Sequence, residues 1–507
     1  MKKVFLLLCV GLLCVQAWAQ DAKLPVFITD SIDVYVQRAL KDWQIPGVSV
    51  AVVKDGKVVL TKGYGQCELN KPGKVDENTL FLIGSNSKAF TATALAMLDV
   101  EGKLKLDDKV TKWMPDFKLK DPLASQEVTV RDLLCHRIGM ETFQGDFVNW
   151  TSNLSRKEVI HNLAVLQPQY GFRAKWGYCN AAFLTAGEII PLVSGSSWED
   201  FMRTKFFKPL KMTRSLALTN ELAAANNKCG AHTLYNGKLI AIPLPDIDNL
   251  APAASIASSA VDMSHWVTML LQDGKFDGNE VVPLAAIKST RSPNSIIGRG
   301  RSYYNRSNFS LYGLGWELKD YEAKTIVSHT GGVDGFVTSV TLVPAEKLGI
   351  VVLTNTDANA FYEALKWEIL DAFLGLPYRN YSAVMQQGFA KNQAADADWL
   401  KAARDTVAMK KASLLPLDKY TGTFINEAYG PVDVVVENGL LTVKMSRHPG
   451  MTAKLEVLGG NRFLCTYSNP TFGIRDVFFT TEGNAVKSLT LRCADFVDFL
   501  PYVFLKK

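Results

Sequence analysis

Ser85 and Lys88 are the pair in this sequence best suited to covalent chemistry; they sit in Phe81-Leu82-Ile83-Gly84-Ser85-Asn86-Ser87-Lys88-Ala89-Phe90. An apolar, helix-favouring run follows from Ala89 to Leu98. With Ser85 at the first turn of that helix, Lys88 lies one turn on and on the same face. The helix N-terminus carries partial positive charge and unpaired N–H groups. That field disfavours an ammonium, and a neutral lysine touching a serine hydroxyl is a nucleophile with its base attached. The plain alternative is a serine N-cap with a solvated lysine behind it. Spacing alone favours the plain alternative, since roughly two such pairs arise by chance in a chain this long. Here the spacing occurs once: no other serine has a lysine three residues on.

Two further stretches carry usable chemistry. Tyr178-Cys179-Asn180 stands before an apolar helix expected from Ala181 to Val193 and ended by Ser194-Gly195. Tyr-x-Asn also occurs at Tyr303/Asn305, Tyr378/Asn380 and Tyr467/Asn469, but only Tyr178 stands at a helix start between the two outer motifs. A loop tyrosine packing on Trp176 is the plain reading. The third stretch is His329-Thr330-Gly331-Gly332, expected where the strand Thr325–Ser328 ends. Paired glycines at a strand end let backbone approach a ligand closely. A backbone N–H there can stabilise an oxyanion, given a second donor across the pocket; a mere turn is the plain reading. Arg299, Arg301 and Arg306 fall in the polar segment from Asn294 to Asn308, which reads as a flexible, solvated loop.

The elements that must position these groups follow a mixed α/β pattern. Val48–Val53 and Val58–Thr61 read as a hairpin about Lys54-Asp55-Gly56-Lys57. Val128–Leu134 starts a short helix with Thr129 as its cap. Residues 138–176 read as irregular and polar, the kind of region that forms pocket walls. Trp198–Phe207 and Ser258–Leu271 read as helices, and Tyr312-Gly313-Leu314-Gly315-Trp316 opens a strand-like stretch. Phe336–Val343 and Gly349–Leu353 are strands, and a helix from Ala360 to Phe373 closes the region. Residues 376–415 read as a linker with one helix, Ala395–Ala408. From Leu417 the composition changes to short strands and tight turns. Val432–Val436, Leu440–Lys444, Arg462–Tyr467, Val477–Thr480 and Val486–Arg492 suggest a small all-β barrel or sandwich. This tail holds no catalytic set, so it is expected to shape or shield a site without supplying chemistry.

Composition bounds the rest. The chain has 507 residues, 48% of them hydrophobic, enough for two or three domains with large cores. Lys2 and Lys3, an apolar run from Val4 to Val15 and Ala17-Trp18-Ala19 read as a secretory leader cut after Ala19. An exported protein, periplasmic or secreted, with no stable membrane span is the expectation. The net charge of +6, or +4 without Lys2 and Lys3, is too small and scattered to argue for nucleic acid. Cys67, Cys135, Cys179, Cys229, Cys465 and Cys493 do not cluster like a disulfide scaffold and read mostly as free buried thiols. No metal-ligand spacing or phosphate loop is present, so no metal or other cofactor is expected.

Ser85-x-x-Lys88, Tyr178-x-Asn180 and His329-Thr330-Gly331, in that order, resemble the three motifs of the serine β-lactamase and penicillin-binding-protein superfamily. The resemblance is closest to class C β-lactamases and related serine hydrolases and esterases, and it covers roughly residues 35–375. Gly47–Val53, Leu104-x-Leu106-Asp107-Asp108, Val130–Leu134 and Pro209-Leu210-Lys211-Met212 are similar to the same group. The division implied is a leader at 1–19, a β-lactamase-like hydrolase domain at 20–375, a linker at 376–415 and a small β-domain at 416–507. The fold implied for the large domain is α/β (α+β): an antiparallel sheet flanked by helices, plus a helical subdomain, with the site between them. By the resemblance, Ser85 is the acylated nucleophile, Lys88 and Tyr178 share the proton traffic, and Asn180 holds Lys88 and the substrate amide. The N–H groups of Ser85 and Gly332 form the oxyanion hole, beside His329, Thr330 and Gly331. His329 stands where lactamases usually carry lysine, which weakens the case for a β-lactam carboxylate. Cys179 stands where serine is common, and no Glu-x-x-Leu-Asn stretch supports a class A deacylation route. The function implied is hydrolysis of a small-molecule or peptide ester or amide: esterase, D-amino-acid peptidase or weak β-lactamase. Acyl transfer to an alcohol is the alternative, and a non-catalytic receptor the third reading.

Overall fold

The computed structural model describes residues 23–299 and 307–507. The leader stretch, Arg301, Arg306, Tyr303 and Asn305 lie outside the described residues. The hairpin near the N-terminus forms from strands Gly47–Lys54 and Lys57–Gly65. Asp55 and Gly56 turn it with φ of 52° and 75°, the left-handed pair that a two-residue hairpin needs. The hairpin joins an eight-stranded sheet whose other members come from the far end of the domain. Gly47–Lys54 pairs antiparallel with Leu348–Thr354, followed by Phe336–Val343, Lys324–Val333, Glu317–Tyr321, Phe309–Tyr312 and Ser295–Arg299. Phe336–Val343 and Leu348–Thr354 are buried along their whole length and are mostly β-branched, as suits an interior strand.

Helices cover both faces. Ile32–Asp42 and Phe361–Phe373 pack on one face, over Val50, Val52, Ile350 and Val352. On the other face lies the helical subdomain, and at its centre runs Ser87–Val100. Every residue of that helix from Ser87 to Leu98 is buried, as expected of a helix that is apolar all round. Phe90 stacks on Trp266 with ring centroids 3.9 Å apart. The chain ends in a closed eight-stranded barrel: Gly422–Asn426, Gly430–Glu437, Leu440–Met445, Thr452–Gly459, Arg462–Tyr467, Ile474–Glu482, Ala485–Leu491 and Tyr502–Lys506. The first strand pairs with the last, Ile425 opposite Leu505, so the barrel has no open edge. Among the described residues, no helix is long and apolar enough to cross a membrane.

Several expectations are corrected. The helix in the connecting segment is Tyr381–Ala408, twice the length expected, and begins at an Asn380 side-chain cap. It lies largely in solvent, so it shows no apolar stripe to read. The region expected to be irregular holds a helix, Arg156–Val165, whose capping box of Ser155 and Glu158 was the available signal. The segment expected to be a flexible loop begins with the strand Ser295–Arg299. The helix after Tyr178 is broken in two, Asn180–Gly187 and Ile189–Ser194. The helix from Trp198 becomes a π turn at Arg203–Phe207. Gly313–Trp316 form a turn between strands. His329–Gly332 lie inside a strand that runs on to Val333. Three barrel strands, Gly422–Asn426, Thr452–Gly459 and Tyr502–Lys506, add to the five expected from the sequence. The core under Ser87–Val100 yields a direct test: Trp266→Ala should lower the stability of the large domain by about 3–5 kcal/mol. A urea transition monitored in that domain checks it, and an unchanged midpoint would contradict the packing described.

Candidate active site

Ser85 lies in a single 3₁₀ turn, Gly84–Asn86, that leads directly into the helix Ser87–Val100. The turn is pinned from two sides. The Asn86 side chain donates to Ile83 O at 3.1 Å and to Thr338 Oγ1 at 2.9 Å, and Thr338 Oγ1 donates to Ile83 O at 2.9 Å. Ser87 Oγ donates to Gly84 O at 2.7 Å and accepts from Ile256 N at 3.1 Å. Two glycines permit the closeness. Gly84 has φ 54°, and a Cβ there would sit 3.0 Å from Gly332 N. A Cβ on Gly331 would overlap Ile83 O and Thr338 Oγ1. The serine turn and the Thr330–Gly332 backbone therefore face each other with no side chain between them.

Lys88 has no exposed surface. Its Nζ lies 3.2 Å from Ser85 Oγ, 2.6 Å from Asn180 Oδ1 and 3.0 Å from Ala253 O. It also sits 4.6 Å from the Tyr178 ring centre. Burial brings its pKa down from 10.5 to about 7, against the opposing pull of Asp146. A neutral amine has two N–H bonds and one lone pair. The Asn180 and Ala253 carbonyl oxygens can only accept, so they take the two protons and leave the lone pair facing Ser85.

The Tyr178 ring is tilted over His136 at 4.2 Å between centroids. Burial pushes its phenol well above the usual value, while Ser85 draws it back. The hydroxyl completes no hydrogen bond in this arrangement, although it lies close enough to Ser85 to feel it. His136 accepts at Nδ1 from Cys179 N at 3.0 Å, and burial holds it neutral. His329 is likewise buried and neutral, its pKa lowered by burial to about 4. Its Nδ1 lies 2.6 Å from Thr330 O and so must donate, which leaves Nε2 to accept from Tyr312 OH at 2.9 Å. No cation stands at this position.

These groups share one cavity of about 280 Å³. Ser85, Tyr178, Asn180, His329 and the Thr330–Gly332 backbone all line it. Beyond Ser328 the strand edge on that side has no strand partner among the described residues, since pairing with Glu317–Tyr321 ends at Ser328. The sequence did not reveal five other contributors. His136 supports Tyr178. Asp146 accepts from Asn180 Nδ2 at 2.6 Å; burial, reinforced by Asp498, raises its pKa well above the carboxylate range. Glu317 is partly exposed and pairs with Lys319 at 3.0 Å. Burial pushes its carboxyl up, but Lys319, His329 and Lys366 together hold it below the usual value. Phe496 and Val497 reach the cavity from the barrel. The acidic residues lining the cavity are Asp146 and Glu317; among the described residues, neither lysine nor arginine lines it.

Comparison with known proteins agrees with this architecture. The profile of the β-lactamase family matches residues 32–373, so the chain belongs to that family. Residues 408–504 match a domain of unknown function, DUF3471. The chain is 28% identical over 420 residues to "Unguisins hydrolase ungD'" of Aspergillus campestris, covering 79% of this chain and 76% of the relative. It is also 28% identical over 331 residues to "Protein flp" of Staphylococcus aureus, covering 65% of this chain and 63% of that one. An octameric penicillin-binding protein homologue from Pyrococcus abyssi superposes with TM-score 0.61 at 21% identity, covering 94% of this chain and all of that one. A class C β-lactamase mutant superposes with TM-score 0.56 at 22% identity, covering 69% and 97%. These two share the fold.

The close approach of Gly331 to the serine turn predicts a specific failure. Gly331→Ala must push the strand off Ile83, so reaction of Ser85 with a serine-directed phosphonate should slow by roughly a hundredfold. Circular dichroism should stay native. Wild-type labelling in Gly331→Ala would contradict the geometry.

Proposed function

We propose that this chain is an exported serine hydrolase that cleaves an ester or amide through an acyl-enzyme on Ser85. The observation that carries the reading is the buried Lys88 amine, 3.2 Å from Ser85 Oγ and with its pKa lowered by burial to about 7. In the proposed reaction, Ser85 Oγ attacks the substrate carbonyl carbon and its proton passes to the Lys88 lone pair. The N–H groups of Ser85 and Gly332 hold the oxyanion. The carbon–leaving-group bond then breaks, and the proton reaches the leaving group from Lys88 by way of the Tyr178 hydroxyl. Water repeats the attack on the ester, releasing the acid and returning Ser85. Asn180 keeps Lys88 in place and faces the substrate, while His329 and Thr330 form the wall opposite.

Substrate range follows from charge. His329 is neutral and Glu317 is acidic, so among the described residues a substrate carboxylate meets no fixed cation. Neutral esters and amides, including D-amino-acid amides, suit the site better than penicillins. The name of the fungal relative, an unguisins hydrolase, supports hydrolysis. The aromatic walls, Phe143, Trp176, Tyr362 and Phe496, favour a second reading in which an alcohol replaces water and the product is a new ester. A purely receptor role has no need of a buried lysine against a serine.

Three outcomes test the proposal. Ser85→Ala should abolish phosphonate labelling, and Lys88→Arg, which keeps the charge but cannot serve as a base, should be nearly as damaged. Labelling at another serine in the wild type would sink the assignment. The rate of acylation should rise with pH to a plateau, with an acid limb near 7, because Lys88 must lose its proton to act; a flat profile between pH 5 and 9 would exclude Lys88 as base. Penicillin turnover should be far slower than turnover of a neutral activated ester, and equal turnover would overturn the charge argument. Acylated product in the presence of added alcohols would mark the transferase reading, and free acid alone would reject it.

A further inference from the structure

The barrel was expected to shield the site without taking part in its chemistry. Its contacts with residues 145–153 imply more. Phe147 leaves the large domain and enters an aromatic cluster of the barrel, stacking on Tyr502 at 4.9 Å and meeting Tyr429 and Phe472. The core is continuous from the helical subdomain into the barrel at this point. Asp498 Oδ2, in the loop before the last barrel strand, accepts from Gly145 N at 3.0 Å and from Phe147 N at 3.2 Å. Tyr502 OH donates to the same oxygen at 2.7 Å and accepts from Gly145 N at 2.8 Å. Farther along, Asn153 N donates to Arg447 O at 2.8 Å, and His448 Nε2 lies 2.9 Å from Trp150 O. The residue bracketed by the two Asp498 bonds is Asp146.

Asn180 Nδ2 donates to Asp146 Oδ2 at 2.6 Å. That bond fixes which way the Asn180 amide faces. With Nδ2 held by Asp146, Oδ1 must face Lys88, at 2.6 Å. A released amide can turn over and set its N–H₂ against the lysine, donor to donor. The lysine lone pair then no longer points at Ser85. We propose that Asp498 is a positioning residue for Lys88, acting through Asp146 and Asn180, so that the barrel is part of the catalytic apparatus of the other domain. This rests on the hydrolase reading above.

Charge gives the proposal a signature that simple undocking lacks. Asp146 is faced by Lys88, by Tyr178 and Cys179 from the segment before Asn180, and by Asp498, Cys493 and Tyr502 from the barrel. The carboxylate of Asp498 favours a neutral Asp146. Removing it lets Asp146 ionise more readily, and an ionised Asp146 holds the proton on Lys88. The acid limb of the rate must therefore move to higher pH.

The test uses the full-length chain and the acylation rate of Ser85 by a phosphonate, together with kcat and KM for a neutral ester. Asp498→Ala should lose roughly tenfold to a hundredfold in kcat with little change in KM, and its acid limb should move up in pH. Asp498→Asn retains an acceptor for Gly145 and Phe147, so it should fold normally and show the pH shift with a smaller loss. Adding Asp146→Asn to Asp498→Ala removes the charge that moves the limb, so the limb should return to the wild-type position or below. Arg462→Ala, on the exposed outside of the barrel, should match wild type. A folded Asp498→Asn with an unchanged pH profile, or an Asp498→Ala that changes KM alone, would overturn the proposal. Wild-type protein labelled elsewhere than Ser85 would instead overturn the hydrolase reading and this proposal with it.

Discussion

A lysine side chain with no exposed surface is the constraint around which the large domain is built. The drop in the Lys88 pKa from 10.5 to about 7 corresponds to about 5 kcal/mol of disfavour for the charged form. Such a cost is tolerable only because the neutral amine is fully used: two carbonyl oxygens accept its protons and a serine hydroxyl faces its lone pair. Each partner comes from a different part of the fold. Ser85 is one turn away, Asn180 opens a second helix, and Ala253 lies in a third. The helical subdomain keeps these parts in register, and the apolar packing of Phe90, Trp266 and their neighbours keeps water out.

The sheet supplies the opposite wall by a different device. Backbone meets backbone where Gly84 and Gly331 leave no room for a side chain. The N-terminal hairpin and the strands after residue 295 close into one sheet, so the wall depends on both ends of the domain. The barrel adds a third dependency. It holds Gly145 and Phe147 from outside, and Asp146 between them carries that restraint inward to Asn180. The barrel thus reaches the lysine through hydrogen bonds.

Much of this was legible in the sequence because local rules and family motifs agree. The strands around residue 340 declare themselves by β-branched runs, and the helix after Ser85 by its unbroken apolar length. Three ordered motifs pointed to Ser85, Tyr178, Asn180 and His329–Gly332, which the structure gathers around one cavity, and to Lys88, buried behind Ser85. What was not legible depends on distance along the chain or on the absence of burial. Asp146 looks like any other aspartate until Asn180 and Asp498 are brought to it, and Asp498 lies 353 residues from its partner Gly145. His136 and Glu317 carry no motif, and they matter through Tyr178 and the cavity wall. The long helix Tyr381–Ala408 escaped because a solvent-facing helix has no apolar period. The capping box of Ser155 and Glu158, by contrast, is a local signal that needs no knowledge of the fold.

The protonation of Lys88 is the point on which the account turns, and it can be observed without turnover. With lysines carrying a ¹³C label at Cε, the Lys88 resonance is the one that disappears in Lys88→Arg. Its titration should have a midpoint near 7, as burial requires. A midpoint above about 10, the ordinary value for a solvated lysine, would show that Lys88 stays charged at neutral pH and would contradict its role as the base for Ser85.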